Sequence, residues 1–575
     1  MIKKLTPYLS KYKLYTIITP LLIIAEVMLE VTIPFLMAKI VDDGIGKSNI
    51  PYVLKIGTLM IIMSLFSLTF GALASKTAAK AAMGFGSEVR KGLFNKVQEF
   101  SFSNVDKFST ASLVTRLTTD VNNIQNAFMM VIRLLVRSPV MLVSAMIMAF
   151  SINRSLVSVF LVAVPFLATA LALIIMMAFP RFTSMLKKYD KINASVQENL
   201  IAIRVVKAFV RSNHEKDKFR LANDDLMKAS LKAEKVVIWN MPIMMLSMYG
   251  CIIAILWFGG NMVIGGTMLT GSLLSFISYV TQILMSLMML SMVFINLILS
   301  KASLNRIFEV LDEKVNITNP ENDNNLTAND GSIEFKNVSF KYNISSESNT
   351  LENINLSIKS GETIGIIGGT GSAKTTLVQL IPRLYDVNDG EIFVGGHDVR
   401  NYKLNVLRDS VAMVLQKNIL FSGTIKDNLK WGNEKATDDE IISACKSAQA
   451  HDFIMSFPDG YDTNLGQGGT NVSGGQKQRL CIARALIKQP KIIILDDSTS
   501  AVDTATDSKI RQAFSENLKD TTTIIIAQRI TSVCDADKII VLDDGKINAI
   551  GTHEELLENN EIYREIYNSQ QKGVA

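Results

Sequence analysis

The sequence predicts a multidomain protein: an all-α transmembrane domain of six helices with long cytoplasmic helical extensions, followed by an α/β P-loop nucleotide-binding domain. Two observations support this fold class: long apolar stretches crowd into the first 300 positions, and a glycine-rich phosphate-binding loop follows in the second half. The net charge of +6 is modest, and Lys and Arg cluster between the apolar stretches. Membrane orientation therefore explains these charges better than nucleic-acid binding does.

Six segments are long enough to cross a hydrocarbon core, which takes about 20 apolar residues as a helix. The lipid bilayer is thus an expected partner of the chain. We predict both termini in the cytoplasm and a multi-pass location in a cell membrane, of bacterial type from the Lys-, Ile- and Asn-rich composition. The predicted spans are 14–38, 53–75, 129–152, 156–179, 236–258 and 273–299.

The connections between these spans are very unequal. Those after the second and fourth spans, 76–128 and 180–235, exceed fifty residues and carry most of the positive charge, whereas 259–272 has no Lys or Arg. The positive-inside rule places the long connections in the cytoplasm. Apolar positions recur at three- and four-residue steps in 105–121, so we expect membrane helices that continue into the cytoplasm and return.

Composition also predicts the domain boundaries. Residues 1–300 form the transmembrane domain, 301–330 a linker and 331–575 the nucleotide-binding domain. The stretch 316–330 is polar, Asn-rich and marked by proline, which is typical of a linker. An alternating apolar pattern at 331–340 then predicts the first strand of the second domain.

A phosphate-binding loop is predicted where a short apolar strand runs into a glycine-rich turn and then an amphipathic helix. Backbone N–H groups and the helix N-terminus face an anion in such a loop. Lys374 is expected to reach the terminal phosphates, and Thr375 can bind Mg²⁺. The predicted nucleotide-binding residues of this loop are Gly368, Gly369, Thr370, Gly371, Ser372, Ala373, Lys374, Thr375 and Thr376.

A second apolar strand, at 491–495, ends in Asp496 and Asp497. Its Asp496 carboxylate, at the C-terminal end of a buried parallel strand, is expected to bind Mg²⁺. Upstream of it lies the segment Ser473-Gly474-Gly475-Gln476. With the phosphate loop, this segment resembles the signature motif of the ATP-binding cassette (ABC) transporter family. The order of six spans before the cassette resembles an exporter-type half-transporter.

The resemblance implies further site residues and cofactors. ATP and Mg²⁺ are the expected cofactors, with Thr375, Gln416 and Asp496 around the metal. Tyr342 resembles the aromatic residue that stacks on adenine, and Asp503 belongs to the segment 500–503 that resembles the loop coupling two ATP sites. The segments 105–121 and 214–219 resemble the cytoplasmic coupling helices of the family.

The hydrolytic residues depart from the family pattern. Asp497 stands where the family usually has glutamate, and its carboxylate is set back by about 1.5 Å, the length of one C–C bond. Gln528 stands where a switch histidine is expected, and it cannot carry an imidazolium charge. Ala373 replaces a usual glycine, and Gln467 stands where related exporters often have glutamate. We therefore expect a degenerate site that binds ATP and hydrolyses it slowly.

This pattern implies a partner subunit. In the family, two cassettes pair head to tail, so each ATP lies between the phosphate loop of one chain and the signature motif of the other. This chain keeps its signature motif, and we expect it to complete a site on a second half-transporter that carries the intact Glu and His. A slow homodimer is the alternative.

A few residues of the predicted spans bear on the transported compound. Glu26 and Glu30 lie four residues apart on one face of the first span, and intramembrane carboxylates are candidate contacts for a cationic substrate. Pairing with a neighbouring helix explains them equally well. Arg133 and Arg137 are expected to snorkel or to form ion pairs. Methionines in the last two spans suit varied apolar ligands, although ordinary helix packing explains them too.

The expected function is export of small amphipathic, drug-like compounds by an ATP-driven heterodimer. Two alternatives remain. The same fold could serve an importer or a lipid flippase, since a fold fixes neither direction nor cargo. A nucleotide-gated regulatory membrane protein would bind ATP without pumping.

Overall fold

The computed structural model describes residues 2–320, 326–343, 348–498 and 502–572. Its contacts divide the chain into two units, each described by itself below. The helical unit comprises Met1–Gln98 and Ser109–Glu313, and the α/β unit comprises Glu99–Phe108 and Lys314–Ala575. The last helix of the helical unit continues to Leu311, past residue 301, where the linker is predicted to begin.

Helices account for almost all of the chain before residue 312. Six helical segments among the described residues are long and apolar enough to cross a membrane, which confirms the predicted number of spans. The helices of this part are α1 (Ile2–Leu9), α2 (Lys13–Lys39), α3 (Ile50–Gln98), α4 (Phe102–Phe108), α5 (Thr110–Thr115), α6 (Val121–Ile152), α7 (Val157–Ile201), α8 (Ile203–Ala208), α9 (Ser212–Val237), α10 (Asn240–Ile264) and α11 (Thr270–Leu311).

Several of these helices are much longer than a bilayer is thick. Helix α3 has 49 residues and α7 has 45. At 1.5 Å per residue, α3 is about 74 Å long, against a hydrocarbon core of about 30 Å. The expected continuation of membrane helices beyond the bilayer is confirmed.

The two segments expected to be coupling helices are built differently from the prediction. Residues 105–121 do not form one helix, because Ser109 takes a φ of +52° and its hydroxyl caps α5 by accepting from the Ser112 amide. Residues 214–219 lie inside the long helix α9, and the separate short helix of that connection is α8. Three- and four-residue periodicity cannot show where one helix ends and the next begins.

The core of the helical unit joins the first and last spans. The Tyr279 hydroxyl of α11 donates to the Val31 carbonyl of α2 at 2.9 Å, and Ser275 donates to the Pro34 carbonyl at 2.6 Å. These two hydrogen bonds satisfy buried polar groups, as an apolar environment requires. Phe276 of α11 also stacks on Phe160 of α7, with ring centroids 5.9 Å apart.

The α/β unit contains a parallel core sheet and a smaller antiparallel sheet. Its strands are β1 (Ile333–Phe340), β2 (Leu351–Ile358), β3 (Thr363–Ile367), β4 (Asp389–Val394), β5 (His397–Asp398), β6 (Val411–Val414), β7 (Gly423–Thr424), β8 (Asn464–Leu465), β9 (Ile492–Asp496), β10 (Thr522–Ile526), β11 (Lys538–Asp543) and β12 (Lys546–Gly551). The core sheet has the order β12-β11-β3-β10-β9-β6, and β11, β3, β10, β9 and β6 pair in parallel. The antiparallel sheet has the order β2-β1-β4-β5, and β7 pairs with β8.

Strands β9 and β10 are buried along their whole length. Continuous Ile-rich runs are typical of parallel strands covered on both faces. The covering helices of this unit are α12 (Lys374–Gln379), α13 (Leu404–Ser410), α14 (Ile425–Lys430), α15 (Asp438–Ser447), α16 (His451–Met455), α17 (Gly474–Ile487), α18 (Thr504–Asn517), α19 (His553–Asn559) and α20 (Glu561–Lys572).

The short helix α4 belongs to the α/β unit although it lies early in the sequence. Tyr385 donates its hydroxyl to the Asp106 carboxylate at 2.7 Å and meets the Phe102 ring edge-on. The Asn104 side-chain amide donates to the Lys314 carbonyl at 2.9 Å. These contacts join residues far apart in sequence, so local pattern could not predict them.

Candidate functional site

The predicted site residues that follow strands of the core sheet meet at one edge of that sheet. Four neighbouring parallel strands, β3, β10, β9 and β6, end there. The phosphate loop follows β3, Gln528 follows β10, Asp496 and Asp497 close β9, and Gln416 follows β6. The carboxyl ends of adjacent parallel strands form the usual ligand crevice of open α/β sheets.

The phosphate loop leads from β3 directly into α12. Lys374 folds back over it, and its ammonium group donates to the carbonyls of Gly368 at 2.9 Å and Gly369 at 2.7 Å. A Cβ atom on Gly368 would lie 2.1 Å from the Leu542 carbonyl oxygen, so only glycine fits there. Burial lowers the pKa of Lys374, and the nearby carboxylates Asp496 and Asp497 oppose that shift.

Ala373 adopts the left-handed conformation, with φ +67° and ψ +25°, immediately before α12. This conformation costs an L-residue with a Cβ roughly 1–2 kcal/mol, whereas glycine adopts it freely. The geometry explains why glycine is usual at this position. Ala373 keeps the loop conformation at the expense of local strain.

Asp496 has the environment of a metal-binding carboxylate. It is buried, and its Oδ1 accepts a hydrogen bond from the Thr375 hydroxyl at 3.0 Å. Within the described part of the chain, its Oδ2 is buried without a hydrogen-bond partner. Burial raises the pKa of Asp496. An unpaired buried carboxylate oxygen next to a hydroxyl fits Mg²⁺, which prefers hard oxygen ligands.

Asp497 and Gln528 contact each other directly. The Gln528 amide donates to Asp497 Oδ2 at 2.8 Å, and the Gln416 side chain also hydrogen-bonds this carboxylate. Asp497 itself has a φ of +48°, and its backbone N–H donates to the Ile526 carbonyl at 3.0 Å. Burial raises the pKa of Asp497, and the two amides oppose the shift. The two departures from the family pattern therefore form one hydrogen-bonded pair.

Tyr342 lies beside the phosphate-loop helix. Its hydroxyl is 3.0 Å from the Thr376 hydroxyl, and its ring meets the rings of Phe340 and Tyr385 edge-on. The Tyr342 side chain is about half exposed, at 51%. An aromatic face next to the phosphate loop can stack on a nucleotide base.

The predicted signature motif is the N-terminus of α17. Ser473 caps this helix, accepting from the Gln476 amide at 3.3 Å, and the Gln476 side chain accepts from the Ser473 amide at 2.8 Å. Ser473 and Gly474 are exposed, and Gly475 and Gln476 are partly buried. A capped helix N-terminus presents backbone N–H groups and a positive dipole end, which suits a phosphate.

The predicted coupling segment 500–503 is only partly described. Ser500 and Ala501 lie outside the described residues. Asp503 caps α18, accepting a hydrogen bond from the Thr506 amide at 2.9 Å. That backbone hydrogen bond lowers the pKa of the Asp503 carboxyl.

One residue near the site carries no sequence signal. Gln570, on the C-terminal helix α20, donates to the Gln528 carbonyl at 2.7 Å and accepts from the Ile530 amide at 2.9 Å. Nothing in the sequence pattern around Gln570 marks it, since it lies 42 residues beyond Gln528.

The two carboxylates proposed as substrate contacts are engaged within the helical unit. Arg137 of α6 donates to Glu26 at 2.6 Å and to Glu30 at 2.5 Å, so the expectation of an ion-paired Arg137 is met. A Cβ atom on Gly71 would lie 2.9 Å from Glu26 Oε1, so the glycine makes room for the carboxylate. Two carboxylates share one guanidinium here.

Comparison with known proteins identifies both parts of the chain. A family model described as "ABC transporter transmembrane region" matches residues 16–287, and one described as "ABC transporter" matches residues 351–500. The chain is 41% identical to the ABC transporter ATP-binding protein YfiB of Bacillus subtilis, over 99% of this chain and 98% of that protein.

Other relatives have more specific names. The chain is 31% identical to the putative multidrug export ATP-binding/permease protein YgaD of Bacillus subtilis, over 99% of both proteins. It is 33% identical to the ATP-dependent lipid A-core flippase of Syntrophus aciditrophicus, over 84% of this chain and 80% of that protein. A solved structure of a bacterial Atm1-family ABC exporter with ATP bound matches with a TM-score of 0.82 at 25% identity, over 98% of both chains.

Proposed function

We propose that this chain, which belongs to the ABC transporter family and has the fold of a multi-pass bacterial ABC exporter, is the degenerate-site half of a heterodimer. Its own ATP site holds ATP and hydrolyses it slowly. Its signature motif completes the faster site of a second half-transporter. The partner carries the glutamate and histidine that Asp497 and Gln528 replace.

The hydrogen bond between Gln528 and Asp497 is the observation that carries the proposal. A general base must accept a proton from the attacking water. Asp497 Oδ2 instead accepts a hydrogen bond from the Gln528 side-chain amide at 2.8 Å. The shorter side chain also holds the carboxylate about 1.5 Å farther back than glutamate would. Misplacement by about 1 Å lowers a rate by on the order of a hundredfold.

ATP binding depends on residues that this chain retains. Lys374 and the phosphate loop would hold the phosphates, and Thr375 and Asp496 would hold Mg²⁺, which neutralises phosphate charge when bound. Tyr342 would stack on the base. The chain thus keeps the groups for binding and lacks those for activating water, and this combination supports a site that retains its nucleotide.

Amphipathic, drug-like compounds are the proposed cargo. A cavity of about 200 Å³ within the helical unit is lined by Glu30, Arg137 and Gln282, together with Met141, Met285 and Met289. Flexible thioethers beside a few charged groups suit ligands with an apolar body and a polar end. The named multidrug relative YgaD supports the same class of cargo.

The assembly is tested by purifying the full-length chain alone in lipid nanodiscs and measuring phosphate release at saturating Mg-ATP. We expect turnover near background, with ATP still bound. Adding a second half-transporter with an intact Glu and His should restore turnover. Robust hydrolysis by the chain alone would refute the degenerate-site assignment.

Lipid flipping is a second candidate, because one relative is named a lipid A-core flippase. Inside-out vesicles loaded with the complete transporter distinguish the two cargoes. ATP-driven uptake of a fluorescent cationic dye, without movement of a labelled phospholipid, supports export of drug-like compounds. The reverse result supports the flippase.

A further inference from the structure

Gln570 pairs with the backbone on both sides of Arg529 as a neighbouring strand would. Its side-chain amide donates to the Gln528 carbonyl at 2.7 Å and accepts from the Ile530 N–H at 2.9 Å. These two backbone groups flank the residue that follows the switch position. The contact therefore fixes the peptide that carries the Gln528 side chain.

Glutamine suits this contact chemically. Its amide has both an acceptor oxygen and donor N–H groups, so it can satisfy a carbonyl and an N–H at once. Glutamate could accept from Ile530 but would place an anionic oxygen against the Gln528 carbonyl. Lysine could donate but could not accept. The pairing needs an amide side chain.

The helix that carries Gln570 is anchored independently of it. Tyr563 is fully buried, its hydroxyl is 2.7 Å from His553 Nδ1, and its backbone N–H donates to the Asn560 side chain at 2.8 Å. Ile566 and Tyr567 pack against the same apolar core that contains Ile530. Helix α20 is thus a rigid support from which Gln570 reaches the loop after β10.

We propose that Gln570 is a positioning residue that holds Gln528 against Asp497 and thereby slows release of ATP from this chain's own site. The proposal rests on the proposed function in one respect, since it assumes that the Gln528–Asp497 pair faces bound nucleotide. Both of these hydrogen bonds of Gln570 are with backbone groups, the Gln528 carbonyl and the Ile530 N–H. It acts through the backbone of Gln528.

Hydrogen exchange in the full-length chain tests the contact itself. Gln570→Ala removes the acceptor of the Ile530 N–H, so exchange at that amide should become about tenfold faster. That factor corresponds to about 1.4 kcal/mol, near the usual net worth of one hydrogen bond. Gln571→Ala is the matched control, because Gln571 is the same residue type on the same helix and is exposed. Gln571→Ala should leave the exchange unchanged.

The rate at which ATP dissociates tests whether Gln570 positions Gln528. Full-length protein in nanodiscs is loaded with radiolabelled Mg-ATP and chased with unlabelled ATP. Gln570→Ala should speed dissociation several-fold, Gln570→Glu should do so at least as much, and Gln571→Ala should match the wild type. In a Gln528→Ala background, Gln570→Ala should have no further effect, because the side chain through which it acts is gone.

Each result decides the proposal. Unchanged exchange at Ile530 in Gln570→Ala would show that the contact is absent in solution. Faster exchange with unchanged ATP release would show that the contact does not serve the site. An equal acceleration in the Gln528→Ala background would show a general loosening instead of positioning through Gln528. Turnover by the chain alone would overturn the proposed function but would not alter these comparisons.

Discussion

Restoring the two family residues should restore hydrolysis at this chain's own site. The perturbation is the double substitution Asp497→Glu with Gln528→His. It lengthens the acidic side chain at position 497 by one methylene, and it removes the Gln528 amide that donates to Asp497 Oδ2 at 2.8 Å. Both changes act on the same group, the carboxylate that should accept a proton from water.

The magnitude follows from that geometry. Correcting a misplacement of about 1 Å is worth on the order of a hundredfold in rate. A hydrogen bond to a charged group is worth about 1.5–3 kcal/mol, which is on the order of 10- to 150-fold if it must be broken before catalysis. Effects on one carboxylate are not additive. We expect the double variant to hydrolyse ATP at least about a hundredfold faster than the wild-type chain, and each single variant to gain less than about a tenth of that.

The assay is phosphate release by the full-length chain in nanodiscs, with dimerisation verified by light scattering. Adding Ser473→Arg to the double variant should abolish the gain, because the exposed N-terminus of α17 could no longer approach a phosphate. Asp497→Asn serves as the inactive baseline. If the double variant binds ATP normally and stays within about threefold of the wild type, these two residues do not limit turnover and the degenerate-site reasoning fails.

Three further predictions concern stability. Arg137→Met should lower the free energy of unfolding by about 1–3 kcal/mol, because it leaves two partly exposed carboxylates without their guanidinium. Thermal unfolding in detergent measures this loss, and an unchanged stability would contradict the prediction. Ala373→Gly should change the free energy of unfolding by less than about 1 kcal/mol, since the relief of backbone strain is offset by the entropy of the unfolded chain. Ala373→Val should weaken ATP binding, because β-branched residues avoid positive φ. Equal ATP affinity of the two variants would argue against strain at residue 373. Tyr385→Phe removes the 2.7 Å hydrogen bond to Asp106, so it should lower the free energy of unfolding by about 1 kcal/mol and speed proteolytic cleavage within α4. An unchanged cleavage rate would show that this hydrogen bond does not stabilise α4.

The sequence predicted those parts of the fold that depend on local pattern. Six apolar segments of sufficient length specify six spans, and a strand running into a glycine-rich turn specifies the phosphate loop. Strand patterning placed Asp496 at the carboxyl end of a parallel strand, whereas Gln416 and Gln528 were expected at the site from the family resemblance; the structure places all three after neighbouring parallel strands. These features need no knowledge of distant contacts.

Contacts between distant residues could not be predicted in this way. The placement of α4 in the α/β unit depends on Tyr385 and Asp106, which are 279 residues apart. Arg137 pairs with carboxylates more than a hundred residues earlier, and periodicity could only indicate that it lies on a helix face. Gln570 is one of two adjacent glutamines on an ordinary surface helix, and only the fold shows which of them reaches the switch position.

The hydrogen bond between Gln528 and Asp497 changes how these two departures from the family pattern are understood. Taken separately, Asp497 and Gln528 are two losses, a shortened base and an uncharged switch. In the structure they are complementary, because the exposed Gln528 side-chain amide donates a hydrogen bond to the partly buried Asp497 carboxylate. Gln528→His alone or Asp497→Glu alone would disturb the Asp497–Gln528 hydrogen bond without completing the glutamate–histidine pair of the family. If the proposed function holds, each single substitution should therefore be worse for ATP retention than the present pair and worse for hydrolysis than the double substitution.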